Sequence, residues 1–566
     1  VLIELAGGAV YDPRQNWAGD IRNLYIEDGR LRGDVPQPSE VDVRYDLSGH
    51  VVMAGAIDLH THIGGGKTTI ARMLLPELLA AGYRAERPRG EAVGHGVQQG
   101  GGLLWNGPDG FLPSAPVAGR RYIEMGYTAC FEPAVLPSNA RGAHAELADT
   151  PLIDTGGYVI LGNDDVLLGM LRDGVEQSLI NAYVAFMVTA TQCIGVKVVN
   201  AGGINAFKYN QRMLDVDDPH PTYGVTPGEV IRRLARAVEE IGLPHPLHVH
   251  GSNLGVAGNI ESTLKTIRAA DGHRIHLTHV QFHSYGKEGP LGFSSGAEQV
   301  AKAVAENPNV TIDVGQVMFG QTVTISADTM HQFQGTGRAT PRKSVILDIE
   351  CEAGCGVVPF RYRHRRYVNA LQWAIGLELF LMVDDPSRVF LTTDHPNGGP
   401  FTTYPHLIRL LMDRSFRATA LAEIHSDAAA ASQLSGLDRQ YTLRDIATMT
   451  RAAPADLLGL GDLGHLSAGA VADVTVYRPD DDIEAMFARP THVFRRGKLV
   501  VRDGRLVDSV DAAITHTVRP AIDPGLQSRL AERFAAAGGM SMRSLRISDD
   551  ELASSILSRP EIHPCR

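Results

Sequence analysis

Cysteine is scarce in this chain of 566 residues. The five present, Cys130, Cys193, Cys351, Cys355 and Cys565, are too few and too scattered for a disulfide framework. Cys351 and Cys355 have a spacing that would suit a metal, but no second pair accompanies them, so they read as structural. Long apolar runs are also missing: none approaches the roughly 18 residues that a membrane span needs. No basic segment followed by an apolar one stands at the start. These absences predict a cytoplasmic protein with no membrane partner. Positive charge is in deficit, with 53 Lys and Arg against 64 Asp and Glu and a net charge of −11. That balance argues against nucleic acid as a partner, though not against a local basic patch that grips an anion. What is present, 44% hydrophobic and 21% charged residues, suits a large core with at least one smaller domain.

Strand and turn texture fills the first fifty residues, in GGAVYDP, DIRNLYIEDGRLRG and VDVRYDLSGHVV. Alternation and Asp-Gly punctuation favour hairpins there. The same texture returns in GHLSAGAVADVTVYRP and THVFRRGKLVVRDGRLV. Residues 1–52 and 452–520 are therefore expected to form one small β-sandwich domain from both ends of the chain. Between them, strand-like runs alternate with amphipathic helices. VKVVN precedes the helix PGEVIRRLARAVEEIG, with Pro in its first turn; PLHVHG precedes NIESTLKTIRAADG; RIHLTHVQ follows. Repeated βα units of this size predict an α/β fold in which residues 53–451 make a closed (β/α)8 TIM-like barrel, with chemistry at the C-terminal strand ends. Residues 521–566, containing LQSRLAERFAAAGG, read as a helical tail.

Candidate ligands recur at those strand ends. In GAIDLHTH, His60 and His62 sit two apart, so both rings leave the strand on one side and one ion can reach both. Neutral imidazole is a common zinc ligand, although a bare His-x-His is equally the mark of two solvated histidines. Lys197 lies in the apolar run GVKVVNAGG, where an unpaired ammonium is costly. It must be paired, deprotonated or modified, and a neutral amine can capture carbon dioxide as a carbamate able to bridge two metal ions. His248 and His250 alternate in HVHGSN, and His276 and His279 in IHLTHVQFHSYG, with His283 and Tyr285 just beyond. Asp394 ends VFLTTD, where a carboxylate can bind a metal and exchange a proton with its water.

Taken in order, His-x-His, Lys, His, His and Asp along a βα chain resemble the amidohydrolase superfamily in its binuclear subtype with a carboxylated lysine. DLSGHVVMAGAIDLHTH and LSAGAVADVTVY look like that superfamily's opening and closing segments. The strings KVVNAGG, HLTHVQFHSYG, VTIDVGQVMFGQTVTISAD and LTTDHPNGGPFTTYP resemble a narrower group. It comprises the A subunits of formylmethanofuran dehydrogenase and their bacterial counterparts, the α subunits of formyltransferase/hydrolase complexes. The resemblance implies a formyl-amine hydrolase that interconverts an N-formyl furan C1 carrier, methanofuran or methylofuran, with formate and the free amine. It implies two zinc ions, a carboxylated Lys197 bridging them, and a formyltransferase among several partner subunits. His60 and His62 match the ligands of the first zinc, His250 and His279 those of the second, and Asp394 the catalytic aspartate of strand eight. Lys208 in NAFKYNQ is a rival bridge, but it follows the strand and its glycines.

Asn200, His283 and Tyr285 are expected substrate contacts. RYRHRR, residues 361–366, is the densest positive run; Arg361, Arg363 and Arg365 would clamp carboxylates bidentately, which suits the glutamate-rich tails of such carriers. A solvated loop is the plainer reading of that run. Three other classes fit parts of the pattern. They are a tungsten or molybdenum formylmethanofuran dehydrogenase component running the site in reverse, a hydantoinase or dihydroorotase, and a non-catalytic scaffold. Abundant Ala, Arg and Gly with little Lys favours the bacterial hydrolase.

Overall fold

A computed structural model describes residues 1–76, 96–97, 104–105, 111–150, 152–211, 213–347, 354–509, 513–537, 541–554 and 558–566. Cys351 of the Cys351/Cys355 pair lies outside them.

Eight parallel strands run side by side in chain order: Ala56–Asp58, Tyr127–Val135, Asp154–Leu161, Gly195–Val199, Leu247–His250, Ile275–Leu277, Val310–Asp313 and Val389–Phe390. Most of these strands are buried along their whole length, as expected where helices cover a parallel sheet. The helix read from PGEVIRRLARAVEEIG spans Pro227–Glu240; Thr226 caps it by accepting from the Glu229 amide, and Pro227 occupies the first turn, where no amide partner is lost. An isolated parallel bridge, Thr61 to His395, joins the ends of strands one and eight and closes the TIM-like barrel.

The small mixed sheet takes strands from both chain ends, as the texture predicts. Leu2–Asp12 pairs antiparallel with Trp17–Glu27, and Val51–Ala54 pairs antiparallel with Val474–Tyr477, which continues to His492–Arg495 and Lys498–Arg502. Leu5, Val10, Leu24, Ile26, Val52, Val474, Val476 and Phe494 form its own core. Val51–Ala54 thus lies in the small sheet and Ala56–Asp58 in the barrel, with Gly55 at the crossing. A Cβ on Gly55 would sit 2.2 Å from Thr128 Oγ1, so only glycine lets the chain pass.

The C-terminal part departs from the expected boundaries. Ala513–Val518 joins the barrel sheet, pairing parallel with strand three at Thr155 and Gly156. The tail is helical over Pro524–Ala537 and ends in a strand, Ser558–His563, parallel to Ala513–Val518. Alternation in AITHTV marks a strand without naming its sheet, which is set by the packing of distant segments.

Asp154, at the start of strand three, ties these parts together. Its carboxylate accepts the Ile514 amide at 2.9 Å and pairs with Arg495 at 2.7 Å and Arg496 at 3.1 Å; Arg495 also pairs with Asp473. Arg495 is fully buried. Replacing it with alanine leaves the buried Asp473 carboxylate without its guanidinium partner and Asp154 with Arg496 alone. Arg495→Ala should therefore lower the unfolding free energy by about 3–5 kcal/mol, read as a shift of the urea midpoint.

Candidate active site

The C-terminal ends of the barrel strands carry the polar side chains. His60 and His62 follow strand one, Lys197 lies in strand four, His250 ends strand five, His279 follows strand six and Asp394 follows strand eight. All six are buried. His60 Nε2 and His62 Nε2 approach the same oxygen, Asp394 Oδ1, at 2.9 and 3.3 Å. His60, His279 and Asp394 form one group with metal-ligand spacing, and His250, His279 and His283 form a second. His279 belongs to both, so the two groups adjoin.

Strained backbone turns these side chains inward. Asn200, His279 and Asp394 all have positive φ, at 42°, 37° and 49°. Such angles are costly for residues other than glycine and concentrate at functional sites. Gly315 passes so close to His279 that a Cβ there would lie 2.4 Å from the histidine Cβ.

Neighbouring groups set the orientation and charge of the ligands. His62 Nδ1 is 2.7 Å from Glu132 Oε1, and Glu132 Oε2 accepts the amides of Ile63 and Gly64 at 3.0 and 3.3 Å. That contact directs His62 Nε2 toward Asp394. His60 Nδ1 faces His248 Nε2 at 2.9 Å, Asp313 Oδ2 at 3.3 Å and the Thr278 hydroxyl. Asp313 also accepts the His279 amide at 2.8 Å and faces His276 Nε2 at 3.1 Å. Burial and Lys197 push the His60 pKa down, but Asp313 and Asp394 outweigh them and raise it. Burial drives His250 and His279 well below the usual histidine range, so both rings are neutral.

His60 Nε2, His250 Nε2, His279 Nδ1, Asp394 Oδ1 and Asn200 Oδ1 are buried without a hydrogen bond. Each such atom costs about 1–3 kcal/mol if nothing satisfies it. Neutral imidazoles with a carboxylate are the donor set of zinc-type ions, and the residues present fit a metal centre.

Lys197 is buried, and desolvation lowers its amine to about 8 against the pull of Asp394, Asp313 and Glu132. Lys208 stands apart, partly exposed and 3.8 Å from Asp165. His283 joins the second histidine group, where only a substrate contact was expected; burial first of all lowers it to about 4. Tyr285 is buried, and its hydroxyl accepts from Gln372 at 3.0 Å. The arginines do not enter the ligand cluster. They end a broad hairpin, Gly320–Ser326 antiparallel to Cys355–Tyr362, with the helix Thr329–Gly335 and the strand Val345–Leu347 in its connection; its alternation buries Tyr362 and exposes Arg361, and Arg363 and Arg365 are exposed just beyond. Two contacts dock the hairpin beside Asp394: Thr322 donates to the Pro396 carbonyl, and Asn397 accepts the Ile325 amide at 2.6 Å.

Sequence reasoning passed over Glu132, Asp313 and Lys67. The first two are carboxylates inside apolar strands, FEPAV and VTIDVG, the same signal that singles out Lys197. Lys67, on the helix Gly66–Leu74, has a buried ammonium without a hydrogen bond, and burial lowers it to about 7.

Comparison with known proteins accords with this geometry. The profile described as "Amidohydrolase family" matches residues 44–508, more than half of the chain. The chain belongs to the amidohydrolase family. Within it, the chain is 45% identical over 547 residues, 95% of either chain, to the A subunit of the formyltransferase/hydrolase complex Fhc of Methylorubrum extorquens. It is 37% identical over 530 residues, 89% of either chain, to protein FwdA of Methanocaldococcus jannaschii. It superposes with a TM-score of 0.89, at 41% identity and over 100% of both chains, on a chain of the crystal structure of the Methylorubrum extorquens complex FhcABCD with methylofuran. Among the described residues, no helix of this family member is long and apolar enough to cross a membrane.

Carboxylation of Lys197 requires its neutral amine. That fraction rises from roughly a tenth at pH 7 to roughly nine tenths at pH 9 for a group titrating at about 8. If Lys197 carries a carbamate, zinc uptake by the metal-free chain at a fixed concentration of dissolved carbon dioxide should therefore quicken over that range, and Lys197→Arg should abolish the dependence on carbon dioxide. Elemental zinc analysis over time checks both.

Proposed function

We propose that this chain is the hydrolase subunit of a formyltransferase/hydrolase complex, cleaving an N-formyl furan C1 carrier to formate and the free amine. One observation carries the reading. Histidines and an aspartate converge at the mouth of a barrel that superposes over its whole length on a chain from a methylofuran-bound complex. A partner that loads the formyl group, a formyltransferase, and further subunits belong to the same reading.

In this reading His60, His62, His250, His279, Asp394 and the carbamate of Lys197 hold two zinc ions. When bound, the pair supplies a nucleophile at neutral pH and polarises the formyl oxygen as negative charge develops. Asp394 accepts the proton of the attacking water and returns it to the carrier nitrogen as the C–N bond breaks, giving formate and amine. The surroundings of Asp394 suit this proton transfer, since the left-handed backbone presents its carboxylate at the centre of the ligand cluster, with Oδ1 2.9 Å from His60 Nε2 and 3.3 Å from His62 Nε2. Asn200, with its orphaned Oδ1, together with His283 and Tyr285 orients the formamide. Arg361, Arg363 and Arg365 bind the carboxylates of the carrier tail outside the hairpin.

Asparagine at position 394 keeps an oxygen ligand but cannot take a proton. Asp394→Asn should cut formate release by roughly 10²–10⁴-fold while zinc content stays near that of the wild type. A formate assay alongside zinc analysis checks this, and retained turnover would overturn the assignment. Reversing the charge of both Arg363 and Arg365 should raise the apparent KM for a carrier with a glutamate tail about tenfold or more. That is the equivalent of losing one charge-assisted hydrogen bond of about 1.5 kcal/mol, with kcat unchanged. An unchanged KM would return these arginines to the role of a solvated loop.

A further inference from the structure

A second group of ligand-type side chains lies at the opposite end of the barrel and takes no part in the proposed reaction. His516 sits on Ala513–Val518, and Glu561 and His563 sit on the terminal strand Ser558–His563. Register brings them together. His516 is paired with Glu561, and His563 lies two residues on, so all three point to one face of the two-strand ribbon. The ribbon joins strand three at Thr155 and Gly156, beside Asp154 at the strand's N-terminal end. The candidate active site occupies the C-terminal ends.

We propose that His516, Glu561 and His563 form a separate site for a divalent cation of the zinc class, which fastens the last strand to the barrel. The ligand atoms lie within 4.8 Å of one another. His516 Nδ1 is 2.8 Å from His563 Nε2, and Glu561 Oε1 is 3.9 Å from the same nitrogen. Ligands about 2.0–2.1 Å from a tetrahedral ion stand about 3.3 Å apart, between those two separations, so shifts of about half an ångström complete the geometry. Two imidazoles and a carboxylate suit zinc rather than calcium or magnesium, which prefer all-oxygen sites.

The surroundings carry the argument further. Without an ion the two rings share a single hydrogen bond, and the Glu561 carboxylate stands too far from His563 to make another. His516 is fully buried, and its Nε2 has no hydrogen-bond partner. That nitrogen lies 3.8 Å from Asp154 Oδ2, a carboxylate already fixed by Arg495 and Arg496. With Nδ1 on a metal, Nε2–H points at Asp154, the carboxylate–histidine–metal arrangement that holds a ligating ring in one tautomer. The Glu561 side chain is 35% exposed, which gives the ion a path in and leaves room for water as a fourth ligand.

The test uses the full chain with Zn²⁺ alone as the probe. Crystals equilibrated with Zn²⁺ should show an anomalous peak at the zinc edge between His516, Glu561 and His563. By elemental analysis, Glu561→Gln and His563→Asn should each hold one equivalent of zinc fewer per chain than the wild type, with hydrolase activity unchanged. Glu561 is partly exposed and lies outside the core clusters, so its isosteric replacement keeps the comparison sound even where a change at His563 unfolds the chain. No peak at this position in crystals whose candidate active site holds zinc would overturn the proposal. So would equal zinc content in the wild type and Glu561→Gln.

Discussion

Closure of the barrel at its first and eighth strands is the constraint on which the site depends. Both strands are short, Ala56–Asp58 and Val389–Phe390, and their ends meet through the Thr61–His395 bridge, with the His62 amide donating to the His395 carbonyl at 2.8 Å. The bridging residues are flanked by the functional ones, His60 and His62 on one side and Asp394 on the other. A seam of main-chain bonds thus fixes the approach of two imidazoles to one carboxylate oxygen, with far less play than two long side chains would allow. If the seam opened, the histidines and the aspartate would separate while every element of the fold remained.

Inside the closed barrel, polarity replaces the layers of branched aliphatic side chains that usually fill it. His245 Nε2 lies 3.1 Å from His248 Nδ1, and His248 Nε2 lies 2.9 Å from His60 Nδ1. Each ring in such a chain can give one proton and take one, so the state of His60 depends on the rings behind it. Asp313 anchors the same network through His276, the His279 amide and the Thr392 hydroxyl at 2.8 Å. Buried charge is tolerated here because carboxylates partner the rings, Asp313 beside His60 and His276 and Glu132 beside His62, while His60 Nε2, His250 Nε2, His279 Nδ1 and Asp394 Oδ1 in the ligand cluster lack a hydrogen bond. The interior is built to hold ligands still at the expense of apolar burial.

Much of this was legible in the sequence because strand periodicity is simple. Alternation places His60 with His62, and His248 with His250, and the βα rhythm places each pair at a strand end. Strand eight was legible only from its far end, in TTDHPNGG, because its ladder is just Val389–Phe390. Glu132 and Asp313 stayed hidden for a physical reason. A single carboxylate in an apolar run announces that it is buried and partnered, but the partner comes from elsewhere in the chain, and no local pattern names it. Lys67 was hidden by its setting, since its burial follows from the hairpin packed over its helix. Ala513–Val518 falls within the residues assigned to the small sheet because an alternating strand fits either sheet, and contacts at Asp154 decide for the barrel; Ser558–His563 falls within the expected helical tail, and its partner strand makes it a strand instead.

The hairpin over the site joins two requirements that a long, charged substrate would impose. Along Cys355–Tyr362 successive side chains face opposite ways, so Tyr362 turns inward toward Asp394 while Arg361 turns to solvent. Moving the register by one residue would bury a guanidinium beside the ligand cluster and expose the tyrosine, a costly exchange that pins the arrangement. One strand therefore presents a buried aromatic ring on the side of Asp394 and positive charge on the side of solvent. An acidic protein gains little attraction for a polyanion from its overall field, so a tail of carboxylates would have to be drawn by a local patch. Residues 361–366 form such a patch at the end of a strand docked beside Asp394. The distance between the two ends of the substrate would then be set by the rigid hairpin, and a carrier without its tail would lose binding while meeting the same reacting groups.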